Sequence, residues 1–310
     1  MSTTRQILER LTQAVGNTPQ VRLRSLEREA PGVELWAKLE WFNPGGSVKD
    51  RAALAIVTDA LARGLLAPGG PRALLDSTSG NTGIAYSWIG AALGIRVCLV
   101  MPENVSDARK KLTRYYGAEQ IFSDPLELSD GAQRLARQLA REHPERYFYA
   151  DQYGNPMNPA AHESTAREIW TGTQGQVTHA VLGLGTTGTA MGTGRGLRAR
   201  NSRVEIIAVE PEEALHGLEG LKHLPSSIVP DIFRGEELSR TLRISTDEGW
   251  EMADRLRDEE GLLAGHSAGA AAAGALRVAK ELHAAGRGGC VVCVFPDRAD
   301  RYLPPPPERP

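Results

Sequence analysis

The chain has 310 residues, 41% hydrophobic and 24% charged, enough to bury the core of one large or two medium globular units. Its 36 basic and 38 acidic side chains leave a formal charge of -2, which gives no electrostatic reason to bind nucleic acid or an anionic membrane. The apolar runs are too short to span a membrane, and the N-terminal stretch lacks the basic region and apolar core of a secretory signal.

Residues 41–51, WFNPGGSVKDR, form the first informative segment. Ser47 and Asp50 make an S-x-x-D capping pattern before an apolar-periodic run (Ala53, Leu54, Ile56, Val57, Leu61), so a helix capped by Ser47 is expected. Lys49 then lies in the first turn, where the partial positive charge of the helix end disfavours an exposed ammonium by about 0.3–1 kcal/mol. A surface lysine tolerates that cost. A lysine meant to lose its proton is helped by it, because the neutral amine is a nucleophile that can form a Schiff base. Gly45 and Gly46 would let a bulky ligand approach the backbone.

Downstream, strand-like and helix-like runs alternate. RALLDST, IRVCLVMP, EQIFSD and RYFYAD read as strands separated by IAYSWIGAALG, DARKKLTRYYGA and LSDGAQRLARQLAREH as helices. A second series begins near 165. Helix TAREIWTGT leads to strand HAVLGLG, helix GTAMGTGRGLRAR and strand VEIIAVEP. Helices DEGWEMADRLRDEEG and AGAAAAGALRVAKELHAAG then lead to strand GCVVCVFP. This alternation predicts an α/β protein with mostly parallel sheets flanked by helices. Turn formers in DQYGNPMNP place a boundary at about 148–160. The tail PPPPERP reads as extended.

In open parallel sheets ligands bind beyond the carboxyl ends of the strands, and three loops there carry small or hydroxyl residues. In STSGNTG (77–83), Thr78, Ser79, Asn81 and Thr82 make a candidate carboxylate cradle, or an ordinary capped turn. In GLGTTGT (183–189), the amides of Gly185 to Thr189 could hold a phosphate at a helix end. Gly183, Gly185 and Gly188 also satisfy G-x-G-x-x-G, with Glu210 placed as a ribose-binding acid, so an NAD-binding protein is the rival reading. In GHSAGA (265–270), Ser267 offers a hydroxyl to a ligand nitrogen or caps a helix.

The three cysteines, Cys98, Cys290 and Cys293, argue for a reducing, cytoplasmic setting without a disulfide framework. The C-x-x-C at 290–293 lies in an apolar strand pattern and is expected in the core, not as a redox pair at a helix end. The seven histidines show no zinc-ligand spacing, so no metal site is expected.

Several long motifs in order carry a resemblance. VGNTPQVRL (15–23), AKLEWFNPGGSVKDR (37–51), STSGNTG (77–83), QYGNPMNPAAHESTAREIW (152–170), GLGTTGTAMG (183–192), AVEP (208–211), GHSAGAA (265–271) and FPDRADRYL (295–303) run nearly end to end. The chain resembles the pyridoxal-phosphate cysteine synthases, the O-acetylserine/O-phosphoserine sulfhydrylases, which share the type II fold of tryptophan synthase β. The resemblance implies two open twisted sheets with the cofactor, pyridoxal 5'-phosphate, in the cleft between domains. It implies a smaller, mobile domain over 36–150 and a larger one over 1–35 and 151–310, and a homodimer.

The same resemblance implies the roles. Lys49 matches the lysine that forms the internal aldimine and, once freed, removes the substrate's α-proton. Asn81 matches the residue beside the ring hydroxyl. Gly185, Thr186, Thr187, Gly188 and Thr189 match the phosphate loop, and Ser267 the hydroxyl facing the pyridine nitrogen. Thr78, Ser79, Thr82 and Gln152 match the carboxylate holders, and Glu210 becomes a structural strand-end residue. A serine hydroxyl leaves the ring a weaker electron sink than a carboxylate would, which suits β-replacement through α-aminoacrylate. The implied substrates are an activated serine and a sulfur donor, either sulfide or a carrier-protein thiocarboxylate.

Two stretches depart from the usual pattern. The phosphate loop reads GTTGT where many relatives have GTGGT, so Thr187 loses a glycine's freedom and adds a donor. Lys222 lies in HGLEGLKHLPSSIVP (216–230), where some O-phosphoserine-using relatives have an arginine. It is a candidate for recognising a substrate phosphate, against a solvated surface lysine; His216 and His223 would assist or face water. A short cystathionine β-synthase-like enzyme and a non-enzymatic regulator of the same fold are the other readings.

Overall fold

The computed structural model describes residues 3–78 and 80–302. Ser79 and the proline-rich tail from 303 onward lie outside the described residues. After helix α1 (Thr4–Ala14) come strand β1 (Gln20–Arg22), helix α2 (Arg24–Glu27), strand β2 (Val33–Leu39) and helix α3 (Lys49–Ala62). The chain then builds β3 (Ala73–Ser77), α4 (Asn81–Leu93), β4 (Val97–Pro102), α5 (Asp107–Tyr115), β5 (Glu119–Ser123), α6 (Leu128–Glu142) and β6 (Tyr147–Tyr149). Helices α7 (Met157–Ala161) and α8 (Glu163–Gly172) lead to β7 (His179–Gly183), α9 (Gly188–Arg200), β8 (Glu205–Pro211) and β9 (Arg240–Ile244). Helices α10 (Thr246–Glu260) and α11 (His266–Ala284) precede β10 (Gly289–Phe295).

These strands form two sheets. One is four-stranded in the order β5-β4-β3-β6, parallel throughout. The other is six-stranded, β1-β2-β10-β7-β8-β9, parallel except for the β1–β2 pair. Strands covered on both faces need apolar residues at every position, and β3 and β4 are buried throughout while β7, β8 and β10 are buried nearly so. Each sheet therefore has a core on either face. The α/β class with mostly parallel sheets is as expected, with β1, β2 and β9 added to the predicted strands, and Cys98, Cys290 and Cys293 are buried strand residues without disulfides.

The expected cap of α3 is corrected. The helix starts at Lys49 after Val48 without the reciprocal capping box: Ser47 Oγ accepts from the Lys49 N–H at 3.3 Å, but Asp50 does not reach back to Ser47. Asp50 instead turns back, accepting from the Gly45 N–H at 2.5 Å and from Trp88 Nε1 at 3.1 Å. The carboxylate finds a nearer orphan donor in the tight Pro-Gly-Gly turn than at its own helix end.

A buried ionic network fixes the other side of α3. Arg51 Nε and Nη2 donate to Glu40 at 2.6 and 2.8 Å, and Nη1 and Nη2 donate to Glu168 at 2.8 and 2.7 Å. Lys38 joins Glu168 at 2.7 Å, and the Thr18 hydroxyl donates to Glu40 at 2.7 Å. Burial raises the Glu168 carboxyl, but hydrogen bonds and charge from Arg51 and Lys38 outweigh it and hold its pKa at about 2.

Candidate active site

The carboxyl ends of strands from both sheets open on one cleft. Thr78 follows β3, Gln152 follows β6, Gly183 ends β7, and Asp297 follows β10; all line it. Lys49, Asn81, Thr82, Gly185, Thr186, Thr187, Thr189, Lys222 and Ser267 line it as well. The structure thus brings together nearly all the residues singled out from the sequence, although they span 219 positions from Lys49 to Ser267 (267 − 49 + 1).

Lys49 stands at the start of α3, half-buried against the open cleft. Protein surrounds its amine, and that desolvation pushes the ammonium's pKa down; Asp297 opposes the shift. The helix end works in the same downward sense. A lysine so placed is poised to be a neutral nucleophile.

The loop between β7 and α9 is shaped for a ligand rather than for its own packing. Thr187 has φ +70°, in the left-handed region, and its buried Oγ1 has no hydrogen-bond partner. A Cβ on Gly185 would stand 2.3 Å from the Gly220 carbonyl oxygen, and one on Gly188 would stand 2.0 Å from Asn158 Oδ1. Asn158 Nδ2 donates to Thr186 Oγ1 at 3.0 Å and to the Gln152 carbonyl at 2.7 Å. Thr189 Oγ1 lies 3.3 Å from His162 Nε2. Burial drives that imidazole's pKa down to about 3, with the Arg51 charge adding to it, so it is neutral. The first amides of α9, a 13-residue helix, and an unsatisfied hydroxyl suit an anion such as a phosphate. The orphaned Thr187 hydroxyl and the space that only glycine leaves at 185 fit the phosphate end of the implied cofactor.

Opposite this loop, Thr78 Oγ1 accepts from the Gly80 and Gly83 N–H groups at 3.2 and 3.1 Å. Thr82 donates to Gln152 Oε1 at 2.7 Å, and Gln152 Nε2 donates to the Ser77 carbonyl at 2.6 Å. Asn81 is held at both ends of its amide. Nδ2 donates to Asp297 Oδ2 at 2.6 Å, and Oδ1 accepts from Arg301. Ser267 is buried in the first turn of α11 and borders the cleft.

For Lys222 and Glu210 the sequence left two readings each. Lys222 is no solvated surface lysine: it is 8% exposed, pairs with Asp130 Oδ1 at 2.9 Å and lies 5.2 Å from the Tyr153 ring. Glu210, the candidate ribose-binding acid, is buried and sits 3.5 Å from Arg243, away from the cleft lining. His223 Nδ1 lies 2.7 Å from Ser226 Oγ, and His216 Nδ1 accepts from the Leu218 N–H at 3.2 Å. Sequence reading missed Asn158, His162, Asp297, Arg301 and Tyr302. All lie within the quoted stretches 152–170 and 295–303, whose density of polar residues was the available signal.

Comparison with known proteins agrees with this geometry. A family model described as "Pyridoxal-phosphate dependent enzyme" matches residues 11–297. A cysteine synthase of Aquifex aeolicus is 48% identical over 302 residues, covering 96% of this chain and 92% of the relative. Cysteine synthase B of Salmonella typhimurium is 42% identical over 294 residues, 94% of each chain. Among solved structures, a cysteine synthase of Entamoeba histolytica superposes with a TM-score of 0.88 at 36% identity, covering 98% of this chain and 91% of that one.

Proposed function

Because the chain belongs to the pyridoxal-phosphate dependent enzyme family, we propose that it is a cysteine synthase that exchanges the β-substituent of an activated serine for sulfur. One observation carries the reading: a lysine amine with a depressed pKa shares a cleft with an anion-shaped helix end. Lys49 would hold the cofactor's aldehyde carbon, residues 185–189 its phosphate, Ser267 its ring nitrogen and Asn81 the neighbourhood of its ring hydroxyl. Bound there, pyridoxal phosphate supplies a covalent attachment point for an amine and an electron sink that loosens the bonds at the substrate α-carbon.

The chain's own residues do the rest. Thr78, Thr82 and Gln152 bind and orient the substrate carboxylate, with Ser79 added by resemblance. The Lys49 amine, once free, takes the substrate's α-proton, a task that the desolvation lowering its pKa favours. Lys222 receives the anionic leaving group as a point charge, in competition with Asp130. The sulfur donor is sulfide or a carrier-protein thiocarboxylate, and the enzyme works as a cytoplasmic homodimer. No helix among the described residues is long and apolar enough to cross a membrane.

Borohydride treatment of protein loaded with pyridoxal phosphate, followed by peptide mass spectrometry, tests the core of the reading. The adduct is expected on Lys49 and on no other lysine, and Lys49→Ala should lose both the visible band and turnover. Substrate choice is tested by kcat/KM for O-acetylserine and O-phosphoserine. Lys222→Ala should lower the phosphoserine value at least tenfold and leave acetylserine within about twofold, as fits loss of one charge-assisted contact.

A further inference from the structure

Asp297 has no part in the scheme above, yet it is placed to act on Lys49. It is 1% exposed and follows β10, where Ser47 and Asp297 form an antiparallel bridge and the Val48 N–H donates to the Pro296 carbonyl at 2.9 Å. This fixes the backbone of Lys49 against that of the acid. Both side chains line the same cleft. The carboxylate is unevenly used: Oδ2 accepts from Asn81 and from the Tyr302 hydroxyl, while buried Oδ1 has no hydrogen-bond partner. Room for Oδ1 exists only because residue 265 is glycine, whose Cβ would stand 2.3 Å from it.

We propose that Asp297 is the charge partner of Lys49, a positioning residue whose buried carboxylate faces the charge that the lysine nitrogen takes on, across the cleft and without a direct hydrogen bond. The inference rests on the reading of Lys49 given above. When the nitrogen takes the substrate's α-proton, an N–H bond forms and a C–H bond breaks. The electron pair stays on the substrate and the new positive charge faces Asp297. Nothing is oxidised or reduced; the pair gains one positive charge, balanced by the electron pair left on the substrate.

The surroundings favour such a pairing of charges. Burial pushes the Asp297 carboxyl up and the Lys49 ammonium down, so neither charge is stable alone and each steadies the other. The other groups facing Asp297 are Tyr302 and Arg301 on its own segment, His266 at the start of α11 and Asn81 on α4. Lys49 is faced by Asp297 and, more weakly, by the neutral imidazole of His162. Arg109 lies 5.3 Å from the Tyr302 ring and pairs with Glu219 at 2.6 Å.

The test is a pH titration of the visible band of the holoenzyme, without turnover. Asp297→Asn removes the charge in the same shape, and the midpoint for proton loss should fall by about one to three pH units, the usual effect of a close opposite charge. Tyr302→Phe removes one donor to the carboxylate, concentrates its negative charge, makes the proton on the lysine nitrogen harder to lose and should raise the midpoint. Opposite shifts separate a charge partner from a residue that merely props the cleft, which would move both variants the same way. An unmoved midpoint in Asp297→Asn, or parallel shifts, overturns the inference while the lysine adduct stands. Should Asp297→Asn not accumulate folded, Tyr302→Phe decides alone: a raised midpoint supports the pair and an unmoved one overturns it. A wild-type protein that forms no borohydride-trapped lysine adduct would overturn the parent reading, and this inference with it.

Discussion

At the scale of single residues, the loop before α9 makes conflicting demands on its side chains. Thr187 sits at φ +70°, a conformation that costs a non-glycine residue on the order of 1–3 kcal/mol. Its unpartnered hydroxyl offsets this only if a ligand arrives. Thr187→Gly should therefore stabilise the cofactor-free protein by about 1 kcal/mol in urea denaturation, and weaken cofactor binding in equilibrium dialysis. A change of the same sign in both measurements would contradict this account. Gly185→Ala has no compensating gain, since the new methyl would meet the Gly220 carbonyl at 2.3 Å. Cofactor affinity should drop at least tenfold, about 1.4 kcal/mol. Here the sequence was informative because glycines and hydroxyls in a βα turn announce themselves. Asp297 and His162 did not, since a lone acid or imidazole gains meaning only from what the fold sets beside it.

At the scale of elements, the run that carries Lys49 is held from behind. Arg51 reaches Glu40 just after β2 and Glu168 on α8, so the start of α3 is tied to two distant parts of the chain. Removing one member leaves a buried charge without its counterpart. Arg51→Met should cost about 3–5 kcal/mol in denaturant unfolding, whereas breaking an exposed pair such as Arg257–Asp254 should leave stability nearly unchanged. Most helices and strands were legible as alternating periodicities, because strands covered on both faces and amphipathic helices differ plainly in pattern. Strand β2 was not. VELWAKL mixes a lysine and a glutamate into an apolar run, and Lys38 is acceptable inside only because Glu168, 130 positions away (168 − 38), receives its charge. The cap of α3 was misread for a related reason: Asp50 finds its donor at Gly45, in a turn whose geometry sequence spacing does not reveal.

At the scale of the whole molecule, buried titratable groups set the response to acid. His162 has a folded pKa of about 3 against about 6.5 when unfolded, so between these values only the unfolded chain takes up its proton. Its contribution is complete above about pH 6.5 and is lost as the pH falls toward 3. Glu168 acts lower, from about pH 4.5 down to 2. Asp50 and Asp76, raised by burial to about 6 and about 7, work in the opposite sense. The difference in unfolding free energy between wild type and His162→Gln isolates one group, because the others are common to both. From pH 6.5 to 4.5 that difference should move against the wild type by up to about 1.4 kcal/mol per pH unit; a flat difference would mean the imidazole is charged in the fold. The shared cleft was foreseeable from loop chemistry at strand ends, but which acids lie buried beneath it depends on packing that no local pattern encodes.

The burial of all three cysteines, one in the smaller sheet and two in the larger, bears on how the molecule survives its own product. Desolvation lifts the thiols of Cys98 to about 11 and Cys290 to about 12, and raises Cys293 further, so almost none is thiolate at neutral pH. Mixed-disulfide exchange needs an accessible thiolate. A catalyst bathed in cysteine and its oxidised dimer is thereby inert toward both. Ellman's reagent should find no reactive sulfur until the chain melts, and then all three at once if the two sheets come apart together.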